Sequence, residues 1–351
     1  MDKKKHDQAL TGKPIAERLV AKMKRRAHGK VVNLEDVIGG RAAARGLQKT
    51  VATKEDLAGF HPAHAAYVYA QNQVSVMSEQ LTALKEMKPF DDIVSKAEDL
   101  YMPSAPPMSP LTKSYFTCWA FFDVCVGAAN ETIGATILEL GATFGIDSEL
   151  LRLIRFMQES RMGLYIHKGR KDNLAVLEEF VTGAVCRAIV PSGYRGQKGE
   201  LWYVRVLPPP IPDGSEHVVF TTPYIVLRPG LDQWLAYFRR ALPETARVDD
   251  YERHMKYGPT REFWTDFVFE AYVNHRTDAI YLAGLPDVPE SRPHSQVNGW
   301  GFGGDSTNRS SGRSGLASST TGKARCTGTP GCGFSGARWR HWSGRSMATT
   351  T

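Results

Sequence analysis

Residues 172–190 read DNLAVLEEFVTGAVCRAIV, and the period assigned to them sets the fold class. Asp172 at the start and Pro191 just past the end predict a helix over the whole stretch. Three helical patterns precede it, at 111–127, 131–144 and 147–163, the last capped by Asp147. The first carries Tyr115, Phe116, Trp119, Phe121 and Phe122 and is apolar on nearly every side, which predicts a helix enclosed by other helices. Together the four make a helical core.

Beyond Pro191 the period changes to alternation. Leu201 to Leu207 reads as a strand, with Trp202, Val204 and Val206 on one face and Tyr203 and Arg205 on the other. His217 to Thr222 reads as its partner and Tyr224 to Leu227 as a third short strand, while Ala279 to Leu282 offers a possible edge strand. So small a sheet needs helices to pack on, and 231–241 and 260–274 supply them. The expected class is therefore α+β and helix-dominated: a helical core, a small antiparallel sheet at about 200–227, and a disordered C-terminal tail.

Upstream, Pro103, Pro106, Pro107 and Pro110 form a stiff connector over 101–110, separating that core (111–290) from an N-terminal helical arm at 14–100. The arm opens with Ile15, Leu19 and Met23 at helical spacing, with Arg18, Lys22, Arg25 and Arg26 largely off that stripe. A second helix is expected at 34–47 and a long one from Pro62 to about Met87. Residues 1–13 are polar and expected to be disordered.

Charge divides the chain sharply. Residues 1–50 hold 13 Lys/Arg against 5 Asp/Glu, 291–351 hold 8 against 1, and 51–290 hold 23 against 31. The middle is acidic and the ends are basic, so the net +7 describes the extremities. Of the last 61 residues, 31 are Gly, Ser or Thr and four are Leu, Ile, Val or Phe, too few to offset the entropy of ordering them. Translation of GC-rich DNA in a shifted frame would give the same abrupt switch. Five irregularly spaced cysteines make no disulfide framework, and Lys3 to Lys5 lead into no apolar run. A cytoplasmic protein is expected.

No phosphate-cradling loop, zinc-protease helix, nucleophile elbow or C-x-x-C pair occurs. No cofactor and no metal is expected, since Cys326 and Cys332 are too far apart for a zinc pair and His61 and His64 lack a nearby carboxylate. Two constellations remain. Asp123, Glu131 and His167 would form a catalytic set if the carboxylates lie buried and unpaired, because burial raises their pKa toward general acid–base use. The ordinary alternative pairs Asp123 with Arg152, Arg155 or Arg161 and makes Glu131 a first-turn residue. The second constellation is the loop in which Gly193, Gly196 and Gly199 alternate with Tyr194, Arg195 and Lys198. Its glycines admit backbone amides to an anion, its cations draw phosphate and its ring can stack a base. With Arg25 and Arg26 it points to nucleic acid or an acidic protein partner. A non-enzymatic binding or regulatory protein is the favoured expectation, and a small-molecule enzyme using buried carboxylates is the alternative.

Overall fold

The computed structural model describes residues 13–27, 54–82, 84–102, 109–127, 129–211 and 214–286. The helix expected at 34–47, most of the proline connector and the tail from 291 lie outside that range.

The stretch 172–190 is not a helix. Lys171 pairs with Leu174 across a two-residue turn in which Asp172 and Asn173 both hold positive φ, 51° and 63°. That is the I′ geometry whose twist matches the flanking strands. It joins β1 (Met162–Lys171) to β2 (Leu174–Glu179), and a second turn through Gly183 leads to β3 (Val185–Ile189). The chain continues with β4 (Leu201–Leu207), β5 (His217–Val219) and β6 (Tyr224–Arg228), and ends with β7 (Tyr272–His275) and β8 (Ile280–Ala283).

These strands form one sheet ordered β1-β2-β3-β5-β4-β6-β8-β7, and an added β1–β4 pairing closes its first five strands into a barrel. All pairings in the ring are antiparallel except β3–β5, where Ala188 faces His217. The expectation of a helix-dominated core with a small sheet is thus overturned by a closed five-stranded barrel with three further strands. Leu, Ala and Glu in 174–179 suit a helix locally, but barrel closure buries Ala175 and Leu177 inside and outweighs that weak preference.

Alternation sorts the strands' side chains into two cores. Trp202, Val204, Leu177, Ala175, Ala188 and Val219 fill the barrel. On the other face Leu164, Tyr203, Leu207, Val218 and Tyr224 join a larger core built with the helices. β4 therefore buries both faces, and its alternation is one of direction, not of polarity.

The helices are α1 (Ile15–Ala27), α2 (Lys54–Leu57), α3 (Pro62–Thr82), α4 (Lys88–Tyr101), α5 (Lys113–Phe122), α6 (Ile133–Phe144) and α7 (Ser148–Glu159). After β6 come α8 (Leu231–Ala241), α9 (Val248–Tyr257) and α10 (Phe263–Ala271). Helix α5 is buried throughout Tyr115–Phe122, as its composition requires. Its surroundings are not all helical, because Tyr115 packs against Tyr203 and Tyr224 of the sheet, with ring centroids 6.5 and 5.6 Å away. Asp147 caps α7 by accepting the Leu150 amide at 2.9 Å. No described helix is long and apolar enough to cross a membrane.

The β1–β2 turn gives a first test. Asn173→Val puts a β-branched residue at positive φ and should cost about 1–2 kcal/mol in a urea titration, whereas Asn173→Gly should cost almost nothing. Equal stability of the two variants would contradict the turn.

Candidate nucleic-acid interface

The three residues of the carboxylate constellation each have their own partners. Asp123, at the end of α5, is buried against the Arg205 guanidinium, and Lys256 Nζ stands 3.2 Å from its second oxygen. Arg205 comes from β4 and Lys256 from α9, so the partners are not Arg152, Arg155 or Arg161. Burial pulls the Lys256 amine down and the Asp123 carboxylate pushes it back up. Lys256 also donates to the carbonyls of Gln158 and Ser160. Glu131 accepts the amides of Ile15 and Ala16 and so holds the start of α1, close to the first-turn role expected but serving another helix. His167 lies at the far end of β1, stacked on Trp202 at 4.8 Å. Its Nδ1 is 3.0 Å from the Gln197 carbonyl, and Nε2 is buried without a partner. Burial lowers the pKa of the ring, so it is neutral near pH 7. The three do not form one constellation: both Glu131 oxygens accept amides, while Asp123 is ion-paired with Arg205 and Lys256 and its Oδ1 is buried without a hydrogen bond.

The glycine-rich loop forms a site of a different kind. Gly193, Gly196 and Gly199 all adopt positive φ, 81°, 65° and 94°. The Gly196 position is also closed to any side chain, since a Cβ there would lie 2.3 Å from Trp202 Cζ2. The Gly199 amide donates to the His167 carbonyl and the His167 amide to the Glu200 carbonyl, both at 2.8 Å, which ties the loop along β1. Arg195 and Lys198 are exposed on it. Tyr194 is not: it is buried, and its hydroxyl donates to Glu200, which also accepts Trp202 Nε1 at 3.0 Å. The base-stacking role expected of Tyr194 is therefore closed to it in this conformation. The side chains of Arg25 and Arg26 lie outside the description.

Sequence reasoning missed the second half of this site. Lys168, Arg170 and Lys171 are exposed at the end of β1, beside the loop. Arg195 is near enough to Arg170 to lower its pKa, after burial, by charge repulsion. Arg170 and Arg195 thus meet at one end of the barrel, with Lys171 and Lys198 exposed on the same two segments, while Arg170 also donates to the Asn173 carbonyl and Lys168 is partly neutralised by Glu178 at 2.9 Å. The signal was present as K-G-R-K at 168–171, but it lay between two expected helices and had no site to belong to.

From this end the outer face of β2 and β3 runs to the β4–β5 loop. Val176, Glu178, Val185, Arg187 and Ile189 point outward from it. The Val185 end of that face is open, with Val185 62% exposed and Arg187 reaching Ser215 of the loop at 3.1 Å, while Ile189 at the other end packs against the helix-built core. Among the described residues no group of three or more His, Cys, Asp or Glu side chains could hold a metal ion. No protein-family model, no curated protein and no solved structure matches this chain.

Proposed function

We propose that this protein binds single-stranded nucleic acid along the open β2–β3 face of its barrel, with the backbone held by the cations at the barrel end. The observation that carries this reading is the approach of Arg170 and Arg195 from two segments at one end of the barrel, each with an exposed lysine, Lys171 or Lys198, on its own segment. A closed ring offers a ligand no free strand edge, so recognition falls to side chains and loops. Cations fix phosphates, and exposed Val185 with half-buried Val176 gives unpaired bases an apolar floor. Closed five-stranded Greek-key barrels of the oligonucleotide- and oligosaccharide-binding kind use this face and the loops beside it, a likeness of fold and not of site. The three described cysteines are free thiols, in keeping with a cytoplasmic setting.

Titrating a labelled thymidine 20-mer into the full chain tests the reading. Three phosphate contacts give a log–log salt slope of about −2, so affinity should fall roughly 20-fold between about 50 and 200 mM salt. Reversing Arg170, Arg195 and Lys198 to Glu should remove that slope along with most of the binding. Salt-independent binding would point to an oligosaccharide instead. Capture of an acidic protein without any oligonucleotide binding would make the cations a protein-docking rim.

A further inference from the structure

His167 of β1 ties the barrel-end loop down by three hydrogen bonds. Its carbonyl accepts the Gly199 amide and its amide donates to the Glu200 carbonyl, both at 2.8 Å, and its ring meets the Gln197 carbonyl through Nδ1 at 3.0 Å. A carbonyl oxygen only accepts, so Nδ1 carries the proton and Nε2 the lone pair. Arg195 and Lys198 lie within the segment that these bonds hold.

The surroundings of the ring suit its neutral form alone. It is 1% exposed, it lies on the Trp202 indole, and Nε2 is buried without a hydrogen-bond partner. A second proton would have to enter at that nitrogen, as a charged donor with nothing to receive it. Two charges act on the ring. Glu200, from the loop, favours the imidazolium, but both its oxygens accept from the Tyr194 hydroxyl and one of them from Trp202 Nε1 as well. Arg170, on the ring's own strand, opposes it. Lys168 is paired with Glu178 of β2, the residue of β2 opposite His167 is the apolar Leu177, and Trp202 of β4 is uncharged. Burial outweighs the rest and keeps the ring's pKa below its ordinary value.

We propose that His167 is a proton-operated latch: the neutral ring holds the 193–200 loop on the barrel, and protonation of the ring releases the loop together with Arg195 and Lys198. Gly193 and Gly199, each with open space where a side chain would stand, bound the segment that moves. A released ring titrates in the ordinary histidine range, at about 6.5, and the held ring below it. The latch is therefore intact above that range and weakens as pH falls through it. Because only the released ring takes up the proton there, release between about pH 7.5 and 5.5 grows by at most about tenfold. The effect of release on oligonucleotide affinity rests on the function proposed above; the latch itself does not.

Native-state hydrogen exchange of the full chain between about pH 7.5 and 5.5 tests the latch, with protection factors cancelling the intrinsic dependence of exchange on pH. The Gly199 and His167 amides should lose protection several-fold, to a limit of about tenfold. The Phe180 amide, bonded to Leu164 near the other end of β1, should keep its protection. His167→Asn leaves a donor near the Nδ1 position and cannot titrate, so its loop amides should be equally protected at both ends of the range. In the unaltered chain the His167 ring, followed by NMR, should titrate below about 6.5, a measurement that does not depend on the variant folding. Constant protection at Gly199 and His167, an equal loss at Phe180, a pH dependence retained by His167→Asn, or a ring titrating at or above about 6.5 would each overturn the proposal. No oligonucleotide enters these measurements, so the latch and the binding function fail separately.

Discussion

Asp123→Asn is expected to destabilise this protein by about 3–5 kcal/mol, among the largest effects open to a single polar substitution. The carboxylate lies between the buried Arg205 guanidinium and Lys256, whose side chain is 9% exposed, and joins α5, β4 and α9 in one network. Asparagine keeps the shape but leaves two cations facing each other in a site closed to water. Arg205 keeps only its contacts to Ser160, at 3.3 and 3.4 Å, and Lys256 keeps two carbonyls. Breaking a buried pair from one side costs far more than the pair itself contributes, because the remaining charge must still be desolvated. Removing all three charges together, as Asp123→Leu, Arg205→Met and Lys256→Met, should then recover most of the loss. Urea midpoints of the two proteins give the comparison. A loss below about 1 kcal/mol for Asp123→Asn would mean that the network does not bind sheet to helices.

The same residue shows where reading a sequence stops. Asp123 in an aromatic helix signals a buried acid needing a partner, and a partner it has. Nothing local says that the partners stand 82 and 133 positions away, because sequence separation does not encode proximity once a sheet intervenes. The nearer Arg152, Arg155 and Arg161 were the natural expectation, and two of them are engaged elsewhere: Arg152 with Glu149 at 2.7 Å and Arg161 with Glu179 and Glu252, each at 3.6 Å.

Strand β4 was legible to the residue, because its aromatic and β-branched side chains alternate without interruption. Strands β1 to β3 were not. Only β2 is made of good helix formers, and the decisive clue is the conformation of two residues, Asp172 and Asn173. That dipeptide suits a helix N-cap as well as an I′ turn, and tertiary closure chooses between them. Missing those strands hid half the cationic site, since Arg170 and Lys171 acquire neighbours only when β1 and the 190–200 loop lie side by side. Arg195 and Lys198 could be read because glycine spacing marks a loop whatever surrounds it.

Trp202→Ala is the second substitution from which a large loss is expected, again about 3–5 kcal/mol. The indole is fully buried inside the barrel, where the residues from β2 and β3 include the small Ala175 and Ala188. Such a ring cannot be replaced by collapse of its neighbours, because closed strands are fixed to one another by their hydrogen bonds. A cavity stays behind, and lost dispersion adds to lost burial. Trp202→Phe should be milder, at about 1–2 kcal/mol, as it keeps most of the volume and gives up the bond to Glu200. The consequence reaches the surface. Gly196 rests directly on the indole, His167 stacks on it and Tyr194 packs against it at 5.4 Å, so the ring holds the loop carrying Arg195 and Lys198. Truncating it should therefore speed tryptic cleavage after those two residues well before the barrel unfolds, and should weaken oligonucleotide binding without touching a single surface charge. A Trp202→Ala protein with native stability and a protease-resistant loop would show that the barrel is not packed around this ring, and the cationic end would then have to be held by something else.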